Sequence, residues 1–256
     1  PSTVTDGRFV LYDGEISSAH GDLSCGSCHL FGDKDGIDWD LGNPQGKLTP
    51  PPNFFGLHPF HPMKGPMSTQ SLKGLPNTGR LHWRGDRADL VAFNPAFVGL
   101  MGRETQLDEF TFSIFQDFVF SLRYAPNPNE NLDGTLPADL PGVGSPTAGR
   151  QVFERPFVDD FAACADCHAD PIGTSTIIFG AREIREEQDF KTPHLRNLYT
   201  KRGFTRDAAK RMRGFGYRHD GDLEDIVRFL ESPRFVFQSD QDRYDLEAYL
   251  LCFDTG

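Results

Sequence analysis

Ser24-Cys25-Gly26-Ser27-Cys28-His29-Leu30-Phe31-Gly32-Asp33-Lys34-Asp35-Gly36-Ile37-Asp38-Trp39-Asp40 sets two cysteines, a histidine and four aspartates in seventeen consecutive residues. Zinc, calcium, thiol redox chemistry and haem could each use such a stretch. A second pentapeptide decides between them: Cys164-Ala165-Asp166-Cys167-His168 repeats the pattern Cys-x-x-Cys-His of Cys25–His29. Covalent attachment of a haem needs two thiols that reach the two vinyl groups on one porphyrin edge, and an imidazole held under the iron by the same short turn. Each pentapeptide supplies all three. A four-cysteine zinc site has no use for a histidine after each pair, and Cys28 and Cys164 are far beyond ribbon spacing. A thioredoxin-like pair would leave both histidines unexplained. The reading is two c-type haems, attached at Cys25 and Cys28 and at Cys164 and Cys167, with His29 and His168 as iron ligands.

Other features fit a chain folded around a large flat cofactor. The 256 residues include 23 Phe, 26 Gly and 19 Pro, a composition of aromatic filling and long shaped loops. The formal charge of −11 argues against nucleic acid, whose phosphates select Lys and Arg. Neutral or basic partners suit it better, a redox protein or domain in particular. No run of eighteen apolar residues is present to span a membrane. The first residues carry neither the basic start nor the apolar stretch of a signal peptide, so an export signal is expected to lie outside this chain.

The surroundings of the two motifs also repeat. Asp6-Gly-Arg-Phe-Val-Leu-Tyr-Asp13 and Ala148-Gly-Arg-Gln-Val-Phe-Glu-Arg155 each precede their motif, Gly7 lying 18 residues before Cys25 and Gly149 lying 15 before Cys164. Downstream of each, an apolar period predicts a closing helix. The first is expected over residues 107–122, with Leu107, Phe110, Ile114, Phe118 and Leu122 on one face. The second is expected over residues 241–251, with Tyr244, Ala248, Tyr249 and Leu251, capped by Ser239. A further helix is expected over residues 222–230, and no strand pattern is visible. The chain therefore divides into a first cytochrome c-type module (residues 1–125), a Pro/Asn/Gly-rich linker (126–147) and a second module (148–256). The fold class is mainly α with long Gly/Pro-rich loops.

The second axial face of each iron separates an electron carrier from a catalyst. In the first module Met67, 38 residues after His29 on a Pro-rich stretch, is the expected ligand, with Met63, His58 and His61 as rivals. In the second module it is Met212, 44 residues after His168, with His194 and His219 as rivals. Arg80, Arg84, Arg87 and Arg196 are candidates for haem propionates. Asp33, Asp35, Asp38 and Asp40 could ligate calcium but lack the terminal glutamate of an EF-hand loop, and a solvated acidic loop is expected. His219-Asp220-Gly221 reads as a turn before a helix at Asp222. Cys252, among apolar neighbours, reads as an inert buried thiol.

Phe190-Lys-Thr-Pro-His-Leu-Arg-Asn-Leu-Tyr199, Gly216-Tyr-Arg-His-Asp-Gly221 and His82-Trp-Arg-Gly-Asp-Arg-Ala-Asp-Leu90 are similar to segments of the bacterial di-haem cytochrome c peroxidases and the MauG superfamily. The resemblance implies two cytochrome c folds, one electron-accepting haem and, in the peroxidases, one five-coordinate haem served by a distal glutamate. Here the glutamate's position holds an apolar residue, and Glu104 comes a few residues late. The expected function is single-electron transfer outside the cytoplasm, in the periplasm of a bacterium. The alternatives are a di-haem peroxidase or MauG-like oxidase, with Glu104 as its acid, and an electron-transfer domain of a larger redox protein.

Overall fold

The structure is a computed structural model that describes residues 2–52, 56–160, 162–203 and 216–256. Met212 lies outside the described residues. The helices along the described chain are α1 (Thr3–Tyr12), α2 (Gly14–Ser17), α3 (Ala96–Gly99), α4 (Glu109–Ser121), α5 (Pro146–Glu154), α6 (Cys164–Cys167), α7 (Ala181–Ile184), α8 (Ile226–Leu230) and α9 (Asp240–Leu251). The strands are two residues each: β1 (Asp38–Trp39) pairs antiparallel with β2 (Met67–Ser68), and β3 (Ile178–Phe179) with β4 (Phe190–Lys191). The molecule is mainly helical, as expected; the short strands are too brief to leave a period in the sequence. No helix among the described residues is long and apolar enough to cross a membrane.

Two compact units are present, residues 1–123 with 178–191, and residues 124–177 with 192–256. In the first, α1 begins on Ser2 and α4 on Asp108, whose carboxylate accepts from the Thr111 N–H at 3.0 Å and its hydroxyl at 2.7 Å. These caps satisfy N–H groups that a helix start leaves without partners. Val10 and Leu11 of α1 pack with Phe112, Phe115, Phe118 and Val119 of α4. Burying each such side chain contributes roughly 2 kcal/mol. Leu107 and Phe118 of the expected face are buried, but one part of that face is corrected: Phe110 is 70% exposed, and Phe112 and Phe115 take its place in the core, where they meet Phe97 edge to face. Part of the phenylalanine content thus fills an ordinary helical core.

The second unit repeats the plan. Ser145 caps α5 and Ser239 caps α9, the latter as the sequence predicts. Val152 and Phe153 of α5 pack against Leu246, Tyr249 and Leu250 of α9, with Tyr244 of the expected stripe 45% exposed instead. Helix α8 starts at Ile226 on an Asp225 cap, later than expected, because Asp220 accepts from the Asp222 N–H and keeps that stretch in a turn. Asn127 and Asn129 donate to the Leu251 carbonyl at 2.9 and 3.0 Å, and Asn127 also to Phe253, so the segment after Tyr124 satisfies the end of α9.

One device is shared. A Cβ on Gly7 would overlap the Ile114 carbonyl, and a Cβ on Gly149 would overlap the Asp245 carbonyl. In each unit the first helix therefore crosses the closing helix backbone to backbone, which only glycine permits.

Candidate functional site

Each Cys-x-x-Cys-His forms one tight turn closed by its own backbone. The His29 N–H donates to the Cys25 carbonyl at 2.9 Å, and the His168 N–H to the Cys164 carbonyl at 2.8 Å. The residue before each second cysteine caps the turn: Ser27 Oγ accepts from the Ser24 N–H at 3.1 Å, and Asp166 Oδ2 from the Ala163 N–H at 2.8 Å. Both pairs of thiols and the histidine thus leave the same short turn in the same order.

The imidazoles are held alike. His29 Nδ1 lies 3.3 Å from the Asp33 carbonyl and also hydrogen-bonds the Gln70 backbone. His168 Nδ1 lies 3.0 Å from the Gly173 carbonyl and 3.1 Å from that of Pro193. A carbonyl only accepts, so each Nδ1 carries the proton and each Nε2 keeps its lone pair. Burial lowers both histidines below their ordinary value, against the pull of those carbonyls, and favours the neutral form that ligates metal. None of the five cysteines is in a disulfide. Burial pushes Cys25 up to about 11 and Cys164 up to about 12, so both are neutral thiols at pH 7. Two thiols and one oriented imidazole per turn are the donor set that a covalently attached haem requires. The residues present fit that group. Leu30 and Phe31, immediately after His29, are exposed apolar side chains, Phe31 by 87%.

The remaining sequence candidates separate. Met67 sits half-buried in β2, opposite Trp39. Met63 and His61 are exposed, with the Met63 N–H donating to His61 Nδ1 at 3.1 Å. His58 is pinned by Asp189, which accepts its N–H at 2.6 Å and meets its Nδ1 at 3.2 Å. In the second unit His219 is buried, whereas His194 and Arg196 are partly so, His194 lying 6.2 Å from the Tyr124 ring. Glu104 is exposed. Asp33 pairs with Lys73 at 2.9 Å, and Asp35 accepts from the Ile37 N–H at 3.0 Å and the Trp39 indole at 2.8 Å. Asp38 is partly buried and Asp40 exposed. Cys252 is fully buried, its thiol donating to the Asn129 carbonyl, and burial pushes it up to about 12.

A charged hub in the first unit escaped the sequence reading. Asp86 meets His82 Nδ1 at 2.8 Å, Arg84 Nη2 at 3.1 Å and Arg87 Nη1 at 3.5 Å. Burial pushes the Asp86 carboxyl up, but these three groups together hold it well below the usual carboxylate range. Arg84 also donates to the His61 carbonyl at 2.8 Å and lies over the Phe60 ring. Arg80 donates to the Gly85 carbonyl. These guanidiniums are thus engaged by the protein itself. The composition of His82–Arg87 announces charge, but only the fold shows which carboxylate collects it.

No protein-family model matches this chain, and no curated protein matches it. Solved structures do. Over 98% of its length the chain superposes on 87% of a chain of hydrazine synthase from Kuenenia stuttgartiensis, with a TM-score of 0.67 and 19% identity. It superposes equally fully on 88% of a MauG-like protein associated with microbial copper homeostasis, with a TM-score of 0.55 and 16% identity. At these identities the likeness is one of fold, and it is the fold that the sequence resemblance implies.

Proposed function

We propose that this chain is a di-haem c-type cytochrome that passes single electrons, with one haem on each Cys-x-x-Cys-His turn. The observation that carries the reading is the pair of imidazoles, each with Nδ1 fixed on backbone carbonyls and Nε2 left with its lone pair, on the same short turn as two cysteines. When bound, each haem supplies a one-electron iron couple. Cys25 and Cys28 would hold the haem of the first unit, and Cys164 and Cys167 that of the second. The carbonyls of Asp33, Gly173 and Pro193 hold the rings in one orientation and raise the basicity of Nε2, which limits reorganisation when charge changes. Met67 and Met212 would supply a further protein ligand to each iron. The exposure of Glu104 favours electron transfer over peroxide cleavage, because a distal acid has to stand inside a water-poor site to deliver its proton. The net charge suits a neutral or basic redox partner, and covalent haem attachment places the protein outside the bacterial cytoplasm.

A second reading, a MauG-like oxidase or peroxidase with one displaceable ligand, is favoured by the fold shared with the MauG-like structure. Low-temperature electron paramagnetic resonance of the fully ferric protein, after two covalent haems per chain have been counted by mass, separates the two. Two low-spin signals are expected, and Met67→Ala should convert one of them to high spin. A stoichiometric high-spin signal in the unaltered protein would transfer the assignment to the second reading, and a chain without covalent haem would end both.

A further inference from the structure

Lys191, in β4, is a buried cation with no counter-ion among the described residues. It is 5% exposed, and its Nζ donates to the Thr78 carbonyl at 3.1 Å, which uses one of its three ammonium protons. No carboxylate among the described residues pairs with it, and burial alone pushes it down to about 8. Arg84, equally buried in the same unit, has Asp86, two side-chain or backbone oxygens and an aromatic face. A buried charge with no partner is among the costliest things a fold can hold, and the usual resolution is an anion. Among the described residues the protein does not provide one.

The elements that Lys191 touches lead to the first haem turn. Its N–H donates to the Trp83 carbonyl at 2.9 Å, and the Trp83 indole donates to the Ser68 carbonyl at 2.9 Å. Two residues on from Ser68, the Gln70 backbone holds His29, and the Leu72 N–H donates to the Gly32 carbonyl at 3.0 Å. Thioether bonds occupy the vinyl edge of a c-type haem, so its two carboxylates are left for residues outside the haem turn. We infer that the Lys191 ammonium receives a propionate of the haem held by Cys25, Cys28 and His29. The assignment rests on the di-haem reading and adds to it a residue that the arginine candidates of the sequence did not include.

The test compares Lys191→Met and Lys191→Arg with the unaltered holoprotein. Haem is counted first by mass; fewer than two per chain in the unaltered protein fails the di-haem reading itself, whatever Lys191 does. With two haems present, Lys191→Met should lower one of the two midpoint potentials and leave the other, because a nearby positive charge favours the reduced form. It should also move the propionate bending band of one haem in the resonance Raman spectrum. Lys191→Arg should restore both readouts. Unchanged potentials and an unmoved band in Lys191→Met would reduce Lys191 to a structural donor to Thr78 and overturn the inference. A potential that responds to added acetate or phosphate only while Lys191 is present would also overturn it, in favour of a free anion. If Lys191→Met fails to mature, the reduced unaltered protein carries the test through lysine-selective 13Cε resonance: a Lys191 titration midpoint at or above the ordinary lysine value supports the carboxylate partner, and one well below that value refutes it.

Discussion

The two units solve one problem with the same parts and differ in how they treat buried charge. Each crosses its first helix over its closing helix at a glycine, Gly7 under Ile114 and Gly149 under Asp245. Each closes a Cys-x-x-Cys-His turn on its first cysteine carbonyl and fixes Nδ1 on two backbone groups, one near in sequence and one downstream. Away from the turn the likeness stops. The first unit buries Asp86 among His82, Arg84 and Arg87, and buries Lys191 against a carbonyl. The second buries Glu247 on α9 beneath a mainly apolar core. What repeats in the turns is the donor set of the proposed haem attachment, and what differs is free to set how each unit responds to its surroundings.

The sharpest way to break the comparison is to fill one crossing at a time. Gly7→Ala should force α1 off α4, and Gly149→Ala should force α5 off α9, each costing ~3 kcal/mol or more because a backbone carbonyl occupies the new methyl's place. Hydrogen exchange read by mass spectrometry should show protection lost in peptides from α4 for the first variant and from α9 for the second. Equal loss in both helices from either variant would mean that the two crossings do not hold separate units.

The parts that repeat are also the parts the sequence exposes. A Cys-x-x-Cys-His turn is local, so five residues carry it, and α9 is legible because Ser239 marks its start and apolar residues run to its end. The face of α4 is not local: Phe110 has the spacing of a core residue, but the position of the Gly7 crossing turns Phe112 and Phe115 inward instead. Residues 178–191 group with the first unit although they follow the second Cys-x-x-Cys-His turn, a long-range contact, through Lys191 to Trp83 and Thr78, that no period records. Lys191 and Pro193, two residues apart in one motif, consequently serve different units. The Asp86 hub is similarly invisible, since four ionisable residues among the six from His82 to Arg87 look like a solvated loop until their burial is known.

Charge offers the finer comparison. The depressed pKa of Asp86 means that its partners stabilise the first unit above the ordinary carboxylate value of 3.8, and that this stability is lost as the pH falls below it. Asp86→Asn should therefore cost about 3 kcal/mol at pH 7, since Arg84 is left buried beside a neutral amide, and the difference from the unaltered protein should shrink in acid. Exchange protection around residues 78–90 at pH 7 and pH 3 checks both statements.

Glu247 carries the opposite sign. Burial raises its carboxyl above the ordinary 4.5, Arg202 opposes the shift and Asp225 adds to it. A raised carboxyl is accommodated best when protonated, so the contribution of Glu247 to the second unit is greatest below 4.5 and is lost as the pH rises through its folded value. At neutral pH the charge is a burden, and Glu247→Gln, which keeps the shape and removes the ionisation, should stabilise the second unit by less than Asp86→Asn destabilises the first. Protection of α9 at pH 7 is the measurement. If Glu247→Gln lowers it, the carboxylate is bound by a cation at neutral pH, and the second unit manages its buried charge by pairing, as the first does.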